Sequence, residues 1–201
     1  MKSLLAGLVL LLAVGCGPGL DKKVSDARAG AVQNLVSVLP ASYHGKTAVV
    51  VVNPFGQDQS QVKALEASTL ESLTRLLHGR ITLETDYPTL KTGAKENPGS
   101  FAIPPRSTAP ISFLMTEDAF AQLAAKHPEA ALIISLVGYP AGGLKHQHPP
   151  ALLLYPDLRA FGKREDLRKG FNDGRLLALV LPDEKKSEQV YVRDNAGLLS
   201  W

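Results

Sequence analysis

Lys46-Thr47-Ala48-Val49-Val50-Val51-Val52-Asn53 is the stretch that decides the fold class. Its centre shows no apolar–polar alternation, so the strand it predicts must be covered on both faces. The valines favour extended backbone, because two heavy atoms on Cβ stiffen χ1. Strands covered on both faces by helices belong to parallel sheets. Pro54-Phe55-Gly56 punctuates the end of this one. Upstream, Val24, Ala27, Ala31, Leu35 and Val38 recur at helical spacing between Asp21 and Leu39, and Pro40 closes that segment. Downstream, Asp58 or Ser60 can cap a helix whose Val62, Leu65, Thr69, Leu70, Leu73, Leu76 and Leu77 form one stripe. Gly79 follows where a left-handed helix cap is expected.

Farther along, Arg80 to Thr85 reads as a second strand. Pro88 to Pro110 differs in texture: five prolines, with Gly93 and Gly99, predict an irregular excursion. Loops of that length in a compact domain are usually functional or mobile. Thr116 is expected to cap a helix through Lys126, with Glu117 and Asp118 in its first turn. Ala130 to Val137 is the second run that is apolar throughout, and it ends in Gly138-Tyr139-Pro140-Ala141-Gly142-Gly143. A polar loop then leads to a strand over Ala151 to Tyr155. Leu158 to Phe171 reads as a helix interrupted at Gly162, and Leu176 to Leu181 as a further strand. Gln189 to Arg193 and Leu198 to Trp201 suit a hairpin turned by Asp194-Asn195-Ala196-Gly197. The order predicts an α/β protein, a three-layer, doubly wound, mostly parallel sheet in one domain over 21–201.

Composition is that of an ordinary globular chain: 45% hydrophobic, 20% charged, net charge +3. The basic residues are scattered with no Lys/Arg block, which argues against nucleic acid as a partner. The one cysteine is Cys16, so residues 21–201 hold no disulfide, no cysteine zinc site and no thiol nucleophile. That cysteine closes a recognisable pattern. Met1-Lys2-Ser3 is a short positive start, and Leu4 to Ala13 is an apolar stretch too short for the roughly 20 residues a membrane span needs. Ala13-Val14-Gly15-Cys16 resembles the lipobox of bacterial lipoproteins, which usually has Leu where Ala13 stands. The resemblance implies that 1–15 is a signal peptide, that Cys16 carries the lipid, and that 16–20 is a short tether. Gly17 in place of Asp implies outer-membrane residence in a two-membrane envelope, with the domain facing the periplasm.

Candidate chemistry lies where doubly wound sheets place it, beyond the carboxyl ends of the strands. Asn53, Phe55 and Gln57 follow the first strand, Gly138, Tyr139, Gly142 and Gly143 the run at 130–137, and Asp157 the strand after it. These residue types suit a small-solute pocket, but strand-to-helix turns need the same residues for backbone reasons alone. His146 and His148 lie on one side of an extended segment, a spacing that Zn or Cu could use. No nucleophile elbow, phosphate loop or dinucleotide fingerprint occurs, so no catalytic residue and no organic cofactor is assigned, and the chain reads as non-catalytic.

The element order is similar to one lobe of type I periplasmic binding proteins, carried by Thr47 to Gln57, His127 to Pro140 and Asn172 to Pro182. Within the last, Gly174-Arg175-Leu176-Leu177-Ala178-Leu179-Val180 resembles that family's glycine followed by an apolar strand. The resemblance implies a flavodoxin-like or single periplasmic-binding lobe. Family members clasp a solute between two lobes, and this chain has room for one. Three functions follow: a tethered binding or accessory domain for a solute or protein, a structural lipoprotein of an envelope complex, or a metal-dependent enzyme or carrier using His146 and His148.

Overall fold

The computed structural model describes residues 22–55, 60–182 and 189–192. The expected signal peptide, Cys16, the tether, Gln57, Asp58 and the 193–201 arm of the expected hairpin lie outside them. Among the described residues six strands form one sheet: β1 Lys46–Val51, β2 Ile81–Asp86, β3 Ala130–Ser135, β4 Ala151–Leu154, β5 Leu176–Leu181 and β6 Gln189–Val192. Their order is β2-β1-β3-β4-β5-β6. The first five in that order are mutually parallel, and β6 pairs antiparallel with β5. The helices are α1 Lys22–Ser37, α2 Ser60–Leu77, α3 Ile111–Leu114, α4 Ala119–Lys126 and α5 Arg164–Asn172. The protein is a three-layer, doubly wound α/β structure.

The valine run explains the layering. Ala48, Val50 and Val52 enter one core with Val32, Leu35, Leu73 and Leu77 of α1 and α2. Val49 and Val51 enter the other, with Met115, Phe120, Leu123, Phe161, Leu167 and Phe171. Successive side chains of a strand point to opposite faces, so a run apolar at every position feeds two cores at once. Each such buried side chain contributes about 1.5–3 kcal/mol relative to exposure.

Two local expectations differ from the structure, and two others are refined by it. The buried stripe of α1 is Ala31, Val32, Leu35 and Val36, while Val24 is 41% exposed. Helix α4 begins at Ala119, because a turn closed by Ala119 N–H on the Thr116 carbonyl precedes it; Glu117 and Asp118 are therefore outside its first turn. The interruption expected at Gly162 (φ +79°) is a full break, separating a 3₁₀ turn, Leu158–Phe161, from α5. On its other edge β6 pairs antiparallel with β5, and the expected pairing with 198–201 lies outside the described residues.

Candidate functional site at the carboxyl edge of the sheet

Strand order reverses between β1 and β3, since β2 lies on one side of β1 and β3 on the other. Ligands of open α/β sheets bind in the crevice that such a reversal opens beyond the carboxyl ends. The two sides of this edge are built differently here.

On the α1/α2 side, polar groups converge. Asn53 leaves β1 and folds its side chain into a turn, Oδ1 accepting from the Phe55 N–H at 2.8 Å. Its own N–H donates to the Glu66 carboxylate at 2.6 Å, tying the first turns of α2 to the strand end. Arg28 arrives from α1 and donates through Nε to Thr69 Oγ1 (2.8 Å) and through Nη2 to the Leu136 carbonyl just beyond β3 (3.3 Å). Burial pulls its guanidinium below the ordinary arginine value, while neighbouring Tyr155 and Glu66 act in the opposite sense. Tyr155 follows β4 with φ +50°, a conformation that a bulky residue adopts only under constraint. Such strain costs about 1–3 kcal/mol and collects at ligand clamps and active sites. Helices α1 and α2 are also joined by the Ser25 and Ser68 hydroxyls at 3.2 Å.

On the α4/α5 side, protein fills the edge. Gly138 has φ +95°, and a Cβ there would stand 2.2 Å from Ser112 Oγ and 2.6 Å from Ala109 Cβ. The glycine is thus required by the close approach of the 109–112 segment. Ser112 Oγ accepts the Tyr139 N–H, and Ser135 Oγ donates to the Gly138 carbonyl. Asp157 is buried and caps the turn after β4, accepting from Arg159 N–H, Nε and Nη2 and from Ser107 Oγ at 2.6 Å. Arg159 also donates to the Pro105 carbonyl, so this pair clips the end of the proline-rich excursion over the strand ends. Burial opposes ionisation of Asp157, but hydrogen bonds from Arg159 and Ser107 outweigh it and hold the carboxyl below its usual range.

The residues singled out from sequence therefore part company. Asn53 and Phe55 belong to the polar side. Gly138, Tyr139 and Gly143 are buried under 109–117, with Gly142 against Glu117, and Asp157 is a clip.

Tyr139 has no exposed surface; its ring stacks on Phe161 and meets Phe120 edge-on. Its hydroxyl lies 2.6 Å from His148 Nε2, and His148 Nδ1 lies 2.6 Å from the Pro149 carbonyl. A carbonyl can only accept, so Nδ1 carries the proton and Nε2 accepts from the tyrosine. Burial lowers the His148 pKa, which agrees with this neutral form. Both nitrogens are thereby engaged, and a metal on His148 would have to displace one bond. His146 stands apart, with Nε2 4.0 Å from Glu117 Oε2.

Arg28 was passed over in the sequence, although it signals itself: it lies three and four residues before Ala31 and Val32, in phase with the buried stripe. The ring of His127, a histidine that could have approached His146 and His148 as a further ligand, instead lies 2.8 Å from both Glu84 and Asp86.

No family model matches the chain, and no curated protein is similar to it in sequence. Solved structures are similar in fold. A sugar ABC transporter protein from Actinomyces odontolyticus matches over 89% of this chain and 64% of its own, at TM-score 0.50 and 9% identity. A LacI transcriptional regulator from Bacteroides fragilis matches over 90% and 63%, at TM-score 0.48 and 8% identity. An ABC transporter solute-binding protein from Bradyrhizobium, with bound bis-tris, matches over 88% and 53%, at 0.47 and 11%. The chain thus spans less than two thirds of the length of each. At such identities the first of these establishes a shared fold. No helix among the described residues is long and apolar enough to cross a membrane.

Proposed function

We propose that the chain is a lipid-anchored envelope protein whose single α/β lobe binds a small acidic solute, without catalysis, at the α1/α2 side of the sheet edge. The observation that carries this reading is the convergence of Arg28, Asn53, Glu66, Thr69 and Tyr155 where the strand order reverses. Arg28 uses two of its N–H groups on Thr69 and Leu136, and a guanidinium has five. Its planar fork suits a carboxylate or phosphate, and partial burial strengthens such a pair over one in water. The lipid anchor rests on the lipobox resemblance ending at Cys16, and periplasm-facing attachment to the outer membrane rests on Gly17.

Two measurements test the reading. Intact mass of protein purified from detergent-solubilised membranes should show a chain beginning at lipidated Cys16; an unmodified or differently processed N-terminus would overturn the anchor. Thermal denaturation against a panel of phosphates, small carboxylates and neutral sugars should show saturable stabilisation by an acidic solute. Arg28→Lys, which keeps a charge and a donor, should remove that saturation. No saturable stabilisation, or an unchanged response in the variant, would overturn the binding site.

A further inference from the structure

Outside that edge, β2 carries the other concentration of chemistry. Val49 and Val51 of β1 are paired in register with Glu84 and Asp86 of β2. These positions share the face on which α4 lies, so two carboxylates replace apolar residues where the sheet meets the end of α4. His127 caps that helix, its N–H donating to the Leu123 carbonyl. Pro128 then bars continuation, and the Ala130 N–H closes a four-residue turn on the His127 carbonyl. The turn brings Glu129 back beside the imidazole. Ligand atoms of Glu84, His127 and Glu129 all lie within 4.8 Å of one another.

The imidazole is held from behind. Its Nε2 lies 2.8 Å from Asp86 Oδ2, while Nδ1 points at Glu84 Oε2, also at 2.8 Å. Asp86 is itself fixed by Lys126 Nζ and by the Tyr87 N–H. A histidine whose far nitrogen donates to a carboxylate is the arrangement that fixes tautomer and ring direction in metal sites. Exposure is graded in the same sense: the side chains of Asp86 and His127 are 12% and 15% exposed, that of Glu84 42%. The inner half is buried and hydrogen-bonded, and the outer half opens to water.

We propose that Glu84, His127 and Glu129 form a divalent metal site that takes Zn²⁺, with Nδ1 of His127 and one oxygen from each glutamate as ligands and water completing the shell. Tetrahedral Zn²⁺ at about 2.0–2.1 Å from each ligand needs ligand atoms about 3.3 Å apart, which a rotamer change of two exposed glutamates supplies from the present spacing. One imidazole and two carboxylates is a borderline donor set, which suits zinc better than calcium or magnesium. On binding, the metal takes the Nδ1 lone pair and the proton held there leaves to solvent.

Isothermal titration of the full chain with ZnCl₂, after removal of any histidine tag, tests the site. One ion per chain with a micromolar or tighter Kd is expected. Glu129 forms no ion pair among the described residues, so Glu129→Gln leaves the metal-free fold alone and should weaken binding at least tenfold. Glu84→Gln should do the same, and Asp86→Asn should cost 10–100-fold without removing a ligand. X-ray absorption at the zinc edge should show a single imidazole. Absence of saturable binding, an affinity unchanged in both glutamate variants, or a two-imidazole shell pointing to His146 and His148 would each overturn the proposal.

Discussion

Tyr139 and His148 hold one another inside an aromatic cluster, and the consequence of separating them can be stated. Tyr139→Phe keeps the ring that stacks on Phe161 and leaves His148 Nε2 buried without a donor. An orphaned buried acceptor costs about 1–3 kcal/mol. Urea denaturation should show a loss in that range; no loss would mean that water already reaches the nitrogen. Asp157 gives a second test, through pH. Its folded pKa lies below the unfolded value, so its contribution is full above about pH 4 and disappears as pH falls through the folded pKa. At neutral pH, Asp157→Asn should be less stable than wild type by about 1.5 kcal/mol, since charge-assisted bonds to Arg159 and Ser107 are weakened. The gap should narrow steadily below about pH 4, and a constant gap down to pH 2 would contradict the assignment.

At the scale of elements, the sequence was legible where periodicity carries the information. The valine run could only be a strand covered twice, and the α2 stripe could only be a helix face. The excursion at 88–110 was legible as irregular, because proline and glycine interrupt hydrogen bonding, but nothing in its composition says where its end docks. That docking shapes the edge: Ala109 and Ser112 close on Gly138, and Glu117 on Gly142 and Gly143. Glycines illustrate the ambiguity, since the same residue type serves a ligand approach or a protein approach. Arg28 was missed for the opposite reason, hidden within a helical pattern, and the partners of His127 on β2 were not legible because a helix stop says nothing of what it faces. The contrast between Gly138 and Gly79 tests the packing account. Both have positive φ, but a Cβ at Gly79 meets nothing within 4 Å, whereas at Gly138 it collides with Ser112 and Ala109. Gly79→Ala should cost about 1 kcal/mol from backbone strain alone. Gly138→Ala should cost about 3 kcal/mol, because overpacking is added to strain. Equal losses in thermal unfolding would mean that 109–112 is not held against the sheet edge.

For the whole molecule, the two halves of the sequence reading meet at the tether. The lipobox resemblance places a lipid on Cys16, and α1 begins at Lys22. Even fully extended, the residues between them reach about 20 Å, at roughly 3.5 Å each. That is less than the diameter of a small globular protease, about 30 Å. On the proposed lipid anchor, so short a leash would hold the first lysines against the bilayer, where a protease has no room to seat them. Tryptic cleavage after Lys22 or Lys23 should therefore be at least about fivefold slower for the lipidated protein in vesicles than for Cys16→Ser in solution. Inserting a long Gly/Ser spacer after Gly19 should restore the faster rate in vesicles, because a flexible spacer reaches farther roughly as the square root of its length. Equal rates for the lipidated and unlipidated chains would remove the close apposition, and slow cleavage of both would place the protection in the fold of α1 instead of in the membrane.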